Sequence, residues 1–262
     1  MSLLATVLSD LATESARLES LVADLPDEGW RTPTPAPGWD VATQIAHLAW
    51  TDEAAYVAAT DKQRWDELVV EALADPEHAV DRAALTGGIA APPALLGRWR
   101  AARARLARTL RDYPAGQRMP WYGPPMSPTS MATARFMETW AHGLDVHDAL
   151  GVQRQVTDRI RHVAHIGVRT RDWAFAVHRT SPPGEEFRVE LTAPSGKLWT
   201  WGPADAAQTV TGPAYDFCLL VTQRVNRDDT SLVATGRDAD RWLGIAQAFA
   251  GLPGEGRERL DG

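Results

Sequence analysis

The chain has 262 residues, 44% of them hydrophobic and 23% charged, enough to build a sizeable core in one large domain or two small ones. A net charge of −7 and a pI near 5.5 argue against nucleic acid as a partner, because binding phosphates needs an excess of cations. A single cysteine, Cys218, excludes an intramolecular disulfide and any metal site built from cysteines.

In chain order, residues 3–25 place Leu4, Leu8, Leu11, Leu18 and Leu21 on a helical period, and Pro26 follows the end. This segment lacks a basic start and a continuous apolar run, so it does not read as a signal peptide. No stretch approaches the roughly 18 apolar residues needed to span a bilayer. The expectation is a soluble, cytoplasmic protein, monomer or homodimer, with no membrane partner. A loop bearing Pro and Trp (26–39) leads to Asp40, which caps a helix running to about Ala59 and containing His47. A short helix is expected near 62–74. A Gly/Ala/Pro-rich loop (86–93) precedes a helix at about 93–112. Its arginines, in RWRAARARLARTLR, surround a helix with Leu and Ala between them, the pattern of a solvated amphipathic helix.

The loop YPAGQRMPWYGPPMSP is too rich in Pro and Gly for regular structure, and Ser127 with Pro128 starts a helix that stops at Gly151. Four long helices predict a four-helix bundle. Another helix is expected over 158–180. From Ser181 the pattern changes. EFRVELTAP and KLWTWGP flank Ser195-Gly196 as a hairpin, AAQTVTG reads as a third strand and PAYDFCLLVTQRV as a helix. SLVATG reads as a fourth strand and DADRWLGIAQAFAG as a last helix. The expected division is a helical bundle over 1–155, a bridging helix over 156–182 and a small α+β domain over 183–262. Cys218, in YDFCLLV, reads as a buried small hydrophobe.

Glu138 and His142 lie four residues apart on a predicted helix, so both side chains leave one face a turn apart. A carboxylate and an imidazole so placed form half of a divalent-metal site. Phe136, Met137, Trp140, Ala141 and Leu144 make the helix apolar through much of its girth, which predicts burial, and a buried Glu–His pair needs a partner. His47 is the best third ligand, because Thr43, Gln44 and Thr51 give its face a polar lining, with Trp50 beside them. Asp145, three residues beyond His142, stays on the same face as an orienting residue, a fourth ligand or a base. His147, nine residues from Glu138, turns to the opposite side.

Two segments resemble a known family. GWDVATQIAHLAWTDEAA is similar to the first metal-ligand motif of the DinB-like helical-bundle proteins. ARFMETWAHGLDVHDALG resembles the second, in the actinobacterial branch typified by mycothiol-dependent maleylpyruvate isomerase. The resemblance spans nearly the whole chain and implies an α+β two-domain fold: a DinB-like four-helix bundle, then a small sterol-carrier-like α+β domain. It implies that His47, Glu138 and His142 bind a divalent ion, usually zinc, with a fourth position open to water or thiol. It further implies mycothiol, or a similar thiol, as cosubstrate.

An open two-His, one-Glu site is the catalytic pattern for zinc, although nickel, iron(II) and manganese suit the same donors. The leading expectation is a metal-bound thiolate that attacks a small electrophile, for isomerisation or for transfer. The alternatives are a hydrolase that activates water, iron(II) oxygen chemistry, and a non-enzymatic metal or small-molecule binder. Arg224 and Arg227, in TQRVNRDD, are candidates to bind anionic groups of thiol or substrate. Trp121 and Tyr122, in the loop before the metal helix, wall the substrate pocket or simply pack the loop.

Overall fold

The computed structural model describes residues 2–254 and 256–260. It divides into two compact units, Met1–Arg154 and Gln155–Gly262.

The first unit is helical: α1 (Leu3–Val22), α2 (Val41–Thr60), α3 (Lys62–Ala74), α4 (Ala79–Gly88), α5 (Pro92–Asp112) and α6 (Pro128–Ala149). The four long helices form the bundle, with α2 packed on α5 and α6, and α1 on α6. Each start has a local chemical cause. Ser2, Asp40, Asp61 and Ser127 accept the orphan N–H of a first-turn residue, and prolines occupy the opening turns of α5 and α6. The arginine-rich α5 is amphipathic: Leu95, Leu96, Trp99, Ala102, Leu106 and Leu110 form its buried stripe. Its outward arginines meet carboxylates, Arg98 on Glu53 of α2 and both Arg100 and Arg103 on Glu19 of α1.

One helix of this unit is absent from the sequence reading. Residues 79–88 form α4, which packs on α2, whereas the sequence shows only the Gly/Ala/Pro-rich run at its end. Ala84 and Gly88 are its buried residues, and so short an apolar stripe gives little periodic signal. Between α1 and α2 the chain makes a short 3-10 turn at Gly29–Arg31, burying Trp30 in a core with Leu18, Val22, Val41 and Ile45.

The second unit is α+β: α7 (Arg161–Arg169), α8 (Arg171–Val177), β1 (Phe187–Thr192), β2 (Leu198–Trp201), β3 (Gln208–Pro213), α9 (Ala214–Val221), β4 (Val233–Thr235) and α10 (Arg237–Leu243). The sheet order is β2-β1-β3-β4, with β1 and β3 parallel at its centre and antiparallel strands outside. Phe187, Val189 and Leu191 alternate inward from β1 and share a core with Val210, Phe217, Cys218 and Trp242. Gly167 lets α7 approach α9 closely, since a Cβ there would lie 2.8 Å from Val221 Cγ2.

Two helices differ from expectation. The helix expected over 158–180 is a 3-10 turn followed by α7 and α8, broken at Thr170. The Thr170 hydroxyl bonds back to the carbonyls of Ile166 and Gly167, which favours an ending there. The last helix ends at Leu243, before Gly244, rather than running on to residue 251.

Asp40 Oδ1 accepts both the Thr43 N–H, at 2.8 Å, and the Thr43 hydroxyl, at 2.7 Å, at the start of the helix that carries His47. Replacing it with Ala should cost about 1–2 kcal/mol of stability. Urea denaturation checks this: the midpoint should fall at unchanged slope.

Candidate metal centre

Helices α2 and α6 run antiparallel in the bundle and bring three predicted residues together. Nε2 of His47 and Nε2 of His142 each lie 3.2 Å from the same oxygen, Oε2 of Glu138. One donor atom from each residue falls within 4.8 Å of the others. Ligands at zinc bonding distances of 2.0–2.1 Å on a tetrahedron sit about 3.3 Å apart, so these two spacings match two edges of such a site. The His47 side chain is 8% exposed, His142 12% and Glu138 15%, so the cluster is enclosed yet reachable.

The rings are held from behind. His142 Nδ1 faces Gln44 Oε1 at 2.5 Å, and Gln44 Nε2 donates to the Thr34 hydroxyl at 2.9 Å. With the amide oriented in this way, Nδ1 of His142 carries the proton and Nε2 presents a lone pair. Either a second proton on Nε2, donated to the carboxylate oxygen 3.2 Å away, or a divalent ion in that proton's place bridges the two, and this donor set suits a divalent ion. His47 Nδ1 is buried without a hydrogen-bond partner among the described residues. Trp39 stacks on His142 at 5.8 Å and lies 5.3 Å from His47, while Trp50 flanks His47 at 5.9 Å. Gly38 supplies the turn that sets Trp39 there, at φ +76°, where a side chain is strained. Beyond Trp39 opens a cleft of about 410 Å³, lined by Arg31, Thr34, Asp40, Leu85 and Ile89 among others.

Burial would raise the pKa of Glu138, but hydrogen bonds from His142 and His47 and the charge of Arg135 hold it well below the usual carboxylate range. Asp52, on α2, goes the other way: burial pushes it up to about 7, against the pull of Arg135 and Arg103 and with repulsion from Glu138 and Glu53.

Asp145 is fully buried on α6, and the partner seen at His142 Nδ1 is Gln44. His147 faces Val152 O at 2.9 Å, outside the cluster. Trp121 stacks on Trp65 at 5.7 Å, with Tyr122 4.9 Å from the same ring, and the Arg135 guanidinium lies 5.0 Å from the Trp121 ring. Arg224 and Arg227 belong to the second unit, where Arg224 donates to Thr222 O and Arg227 pairs with Asp240. Cys218 is fully buried, its thiol directed at Ile160 O.

The sequence marks Gln44 only as part of a polar face. Arg135 and Asp52 are not among the sequence-derived candidates; their signal is a charge with apolar residues beside it or a helical turn away, Ala134 and Phe136 for Arg135, Leu48 and Ala55 for Asp52.

The family model of the mycothiol maleylpyruvate isomerase N-terminal domain matches residues 11–147, more than half of the chain. The protein belongs to that family. It thus falls in the DinB-like actinobacterial branch that its two motifs resemble. A model described as wyosine base formation matches residues 183–235, within the second unit. Two proteins from strains of Mycobacterium tuberculosis, each described as uncharacterized, are 56% identical over 249 residues, covering 95% of this chain and 97% of theirs. The crystal structure of the mycothiol-dependent maleylpyruvate isomerase aligns with a TM-score of 0.58 at 16% identity, over 88% of this chain and 92% of that one. A histidine-to-alanine mutant of that isomerase aligns with the same score over 87% of this chain. At that identity the likeness establishes the fold: a helical bundle followed by a small α+β unit. Among the described residues, no helix is long and apolar enough to cross a membrane.

Asp52 makes a pH prediction for metal-stripped protein. Its folded pKa, about 7, exceeds the ordinary aspartate value of 3.8, so its contribution to stability is full below about pH 4 and lost as pH rises through 7. Asp52→Asn should therefore gain stability over wild type as pH goes from 4 to 8. Parallel melting curves across that range read the sign directly.

Proposed function

We propose that this protein is a metal-dependent enzyme that uses a low-molecular-weight thiol, mycothiol or a similar one, to isomerise or modify a small electrophile. His47, Glu138 and His142 would hold the ion, with zinc the first candidate. The observation behind this reading is the convergence of two imidazole Nε2 atoms on one carboxylate oxygen, 3.2 Å from each. Family membership supports the thiol, and the isomerase of like fold supports isomerisation over transfer.

When bound, the ion would lower the pKa of an incoming thiol so that thiolate forms near neutral pH. The chain's own residues do the rest. Gln44 keeps the proton of His142 on Nδ1, directing the other nitrogen to the centre. Trp39 and Trp50 flank the two imidazoles with apolar surface and limit water around them. Arg135 offsets part of the Glu138 charge from 3.8 Å. Because Cys218, the sole cysteine, is buried, the reacting sulfur comes from the cosubstrate. In an isomerisation its thiolate adds to one carbon of a double bond. The remaining single bond rotates, and elimination breaks the C–S bond and returns the thiol unchanged.

Asp145 is proposed as a supporting residue one turn beyond His142. Arg224 and Arg227 of the second unit are proposed to meet anionic groups; in the structure Arg224 donates to Thr222 O and Arg227 pairs with Asp240.

Purified wild-type protein should bind zinc stoichiometrically, and His142→Ala and Glu138→Gln should abolish this in metal analysis. Gln44→Leu should keep the fold and weaken zinc by about 10–100-fold, the usual cost of losing a residue that orients a ligand. Undiminished zinc in His142→Ala would refute the site. In turnover assays, activity should require added thiol; thiol-independent activity would remove the thiol reading and leave the metal.

A further inference from the structure

Arg135 lies three residues before Glu138 on α6 and is 2% exposed. Its Nε and Nη1 are buried without a hydrogen-bond partner among the described residues. Glu138 Oε1 is its nearest carboxylate oxygen in an ion pair, at 3.8 Å from Nη2, beyond hydrogen-bond reach. Trp121 covers the flat face of the guanidinium, but its N–H groups point outward in the plane, where stacking does not satisfy them. Other arginines of this unit are treated differently. Arg98 meets Glu53 at 2.6 Å, and Arg103 and Arg154 meet Glu19 and Glu14 within hydrogen-bonding distance. A buried guanidinium with unserved N–H groups is costly unless an anion completes it.

We propose that Arg135 is an anion seat that binds a carboxylate of the small molecule reacting at the His47–Glu138–His142 centre. This rests on the metal-and-thiol reading above and narrows its substrate class. The guanidinium offers two forks, Nε with Nη2 along its side and Nη1 with Nη2 at its end, and either matches a carboxylate. Charge favours it: a divalent ion with Glu138, Asp52 and Arg135 leaves the site net positive even with Asp52 ionised. Three residues on a helix rise about 4.5 Å, so a carboxylate held here lies close to the centre. That geometry suits a short molecule whose reactive atom is only a few bonds from its carboxylate. Trp121, itself stacked on Trp65 at 5.7 Å, closes one flat face of the guanidinium.

The carboxylate belongs either to the electrophile or to the thiol, and paired probes separate these. Isothermal titration of zinc-loaded and chelator-stripped protein would compare maleate with its neutral diamide, and N-acetylcysteine with neutral N-acetylcysteamine. Wild type should prefer the charged member of at least one pair, identifying which reactant brings the carboxylate. Arg135→Gln should lose that preference by at least about 10-fold, as expected for hydrogen bonds to a charged group, with zinc stoichiometry unchanged. Arg135→Lys, which keeps the charge without the fork, should fall between and serves if the Gln variant does not fold. No preference in wild type, or an equal preference in a folded Arg135→Gln, overturns the seat. Loss of zinc binding in wild type with the Arg135-dependent preference intact would sink the metal reading and leave the seat standing.

Discussion

Burying the Glu138 carboxylate between two helices is the constraint on which the first unit turns. A lone carboxylate in that position would take up a proton, yet this one is held ionised by two imidazoles and one guanidinium. Each of those partners must be delivered from a defined place. His142 comes from the next turn of the same helix, Arg135 from the turn before, and His47 from the facing helix α2. The register of α2 against α6 is thus a condition of the charge balance as well as of the core. An anion that needs three cationic or proton-bearing neighbours is also one that a divalent ion can satisfy by replacing protons.

The surrounding structure serves that register. Asp40 starts α2 at a defined residue, and Ser127 does the same for α6. Gln44 spans from α2 to His142 and to the loop residue Thr34, so one amide ties the imidazole to both. The loop before α2 contributes Trp30 to the core and Trp39 to the face of His142. The loop before α6 contributes Trp121 to the face of Arg135. In both loops an aromatic ring covers the flat side of a nitrogen-bearing group and leaves its edges for hydrogen bonds or ligands. The same division, apolar faces and polar edges, underlies both the metal reading and the anion seat.

The legibility of the site in the sequence followed the range of the interactions. Glu138 and His142 were readable because helical spacing alone puts them on one face. Asp40 and Ser127 were readable because caps are local. His47 was reachable from the polar residues around it, although its meeting with Glu138 is separated by 91 residues of chain. Helix α4 is not legible because little of it is buried, nor is the break at Thr170, because the apolar pattern continues past it. Arg135 and Asp52 are visible as charges with apolar residues beside them or a turn away, but the electrostatic pull between them across α2 and α6 is not.

By itself the sequence determined the elements whose causes lie within a few residues: caps, periodic stripes, strand alternation and the one-turn Glu138–His142 pair. It also determined the family, since both motifs stand in contiguous runs. The tertiary structure alone decided which nitrogen of His142 faces the centre, that Gln44 sets it, and that Arg135 is enclosed with two nitrogens unserved among the described residues. Those outcomes depend on burial and on neighbours distant in sequence. Local patterns specify which groups are present, and only packing specifies which of them are removed from water and left facing one another.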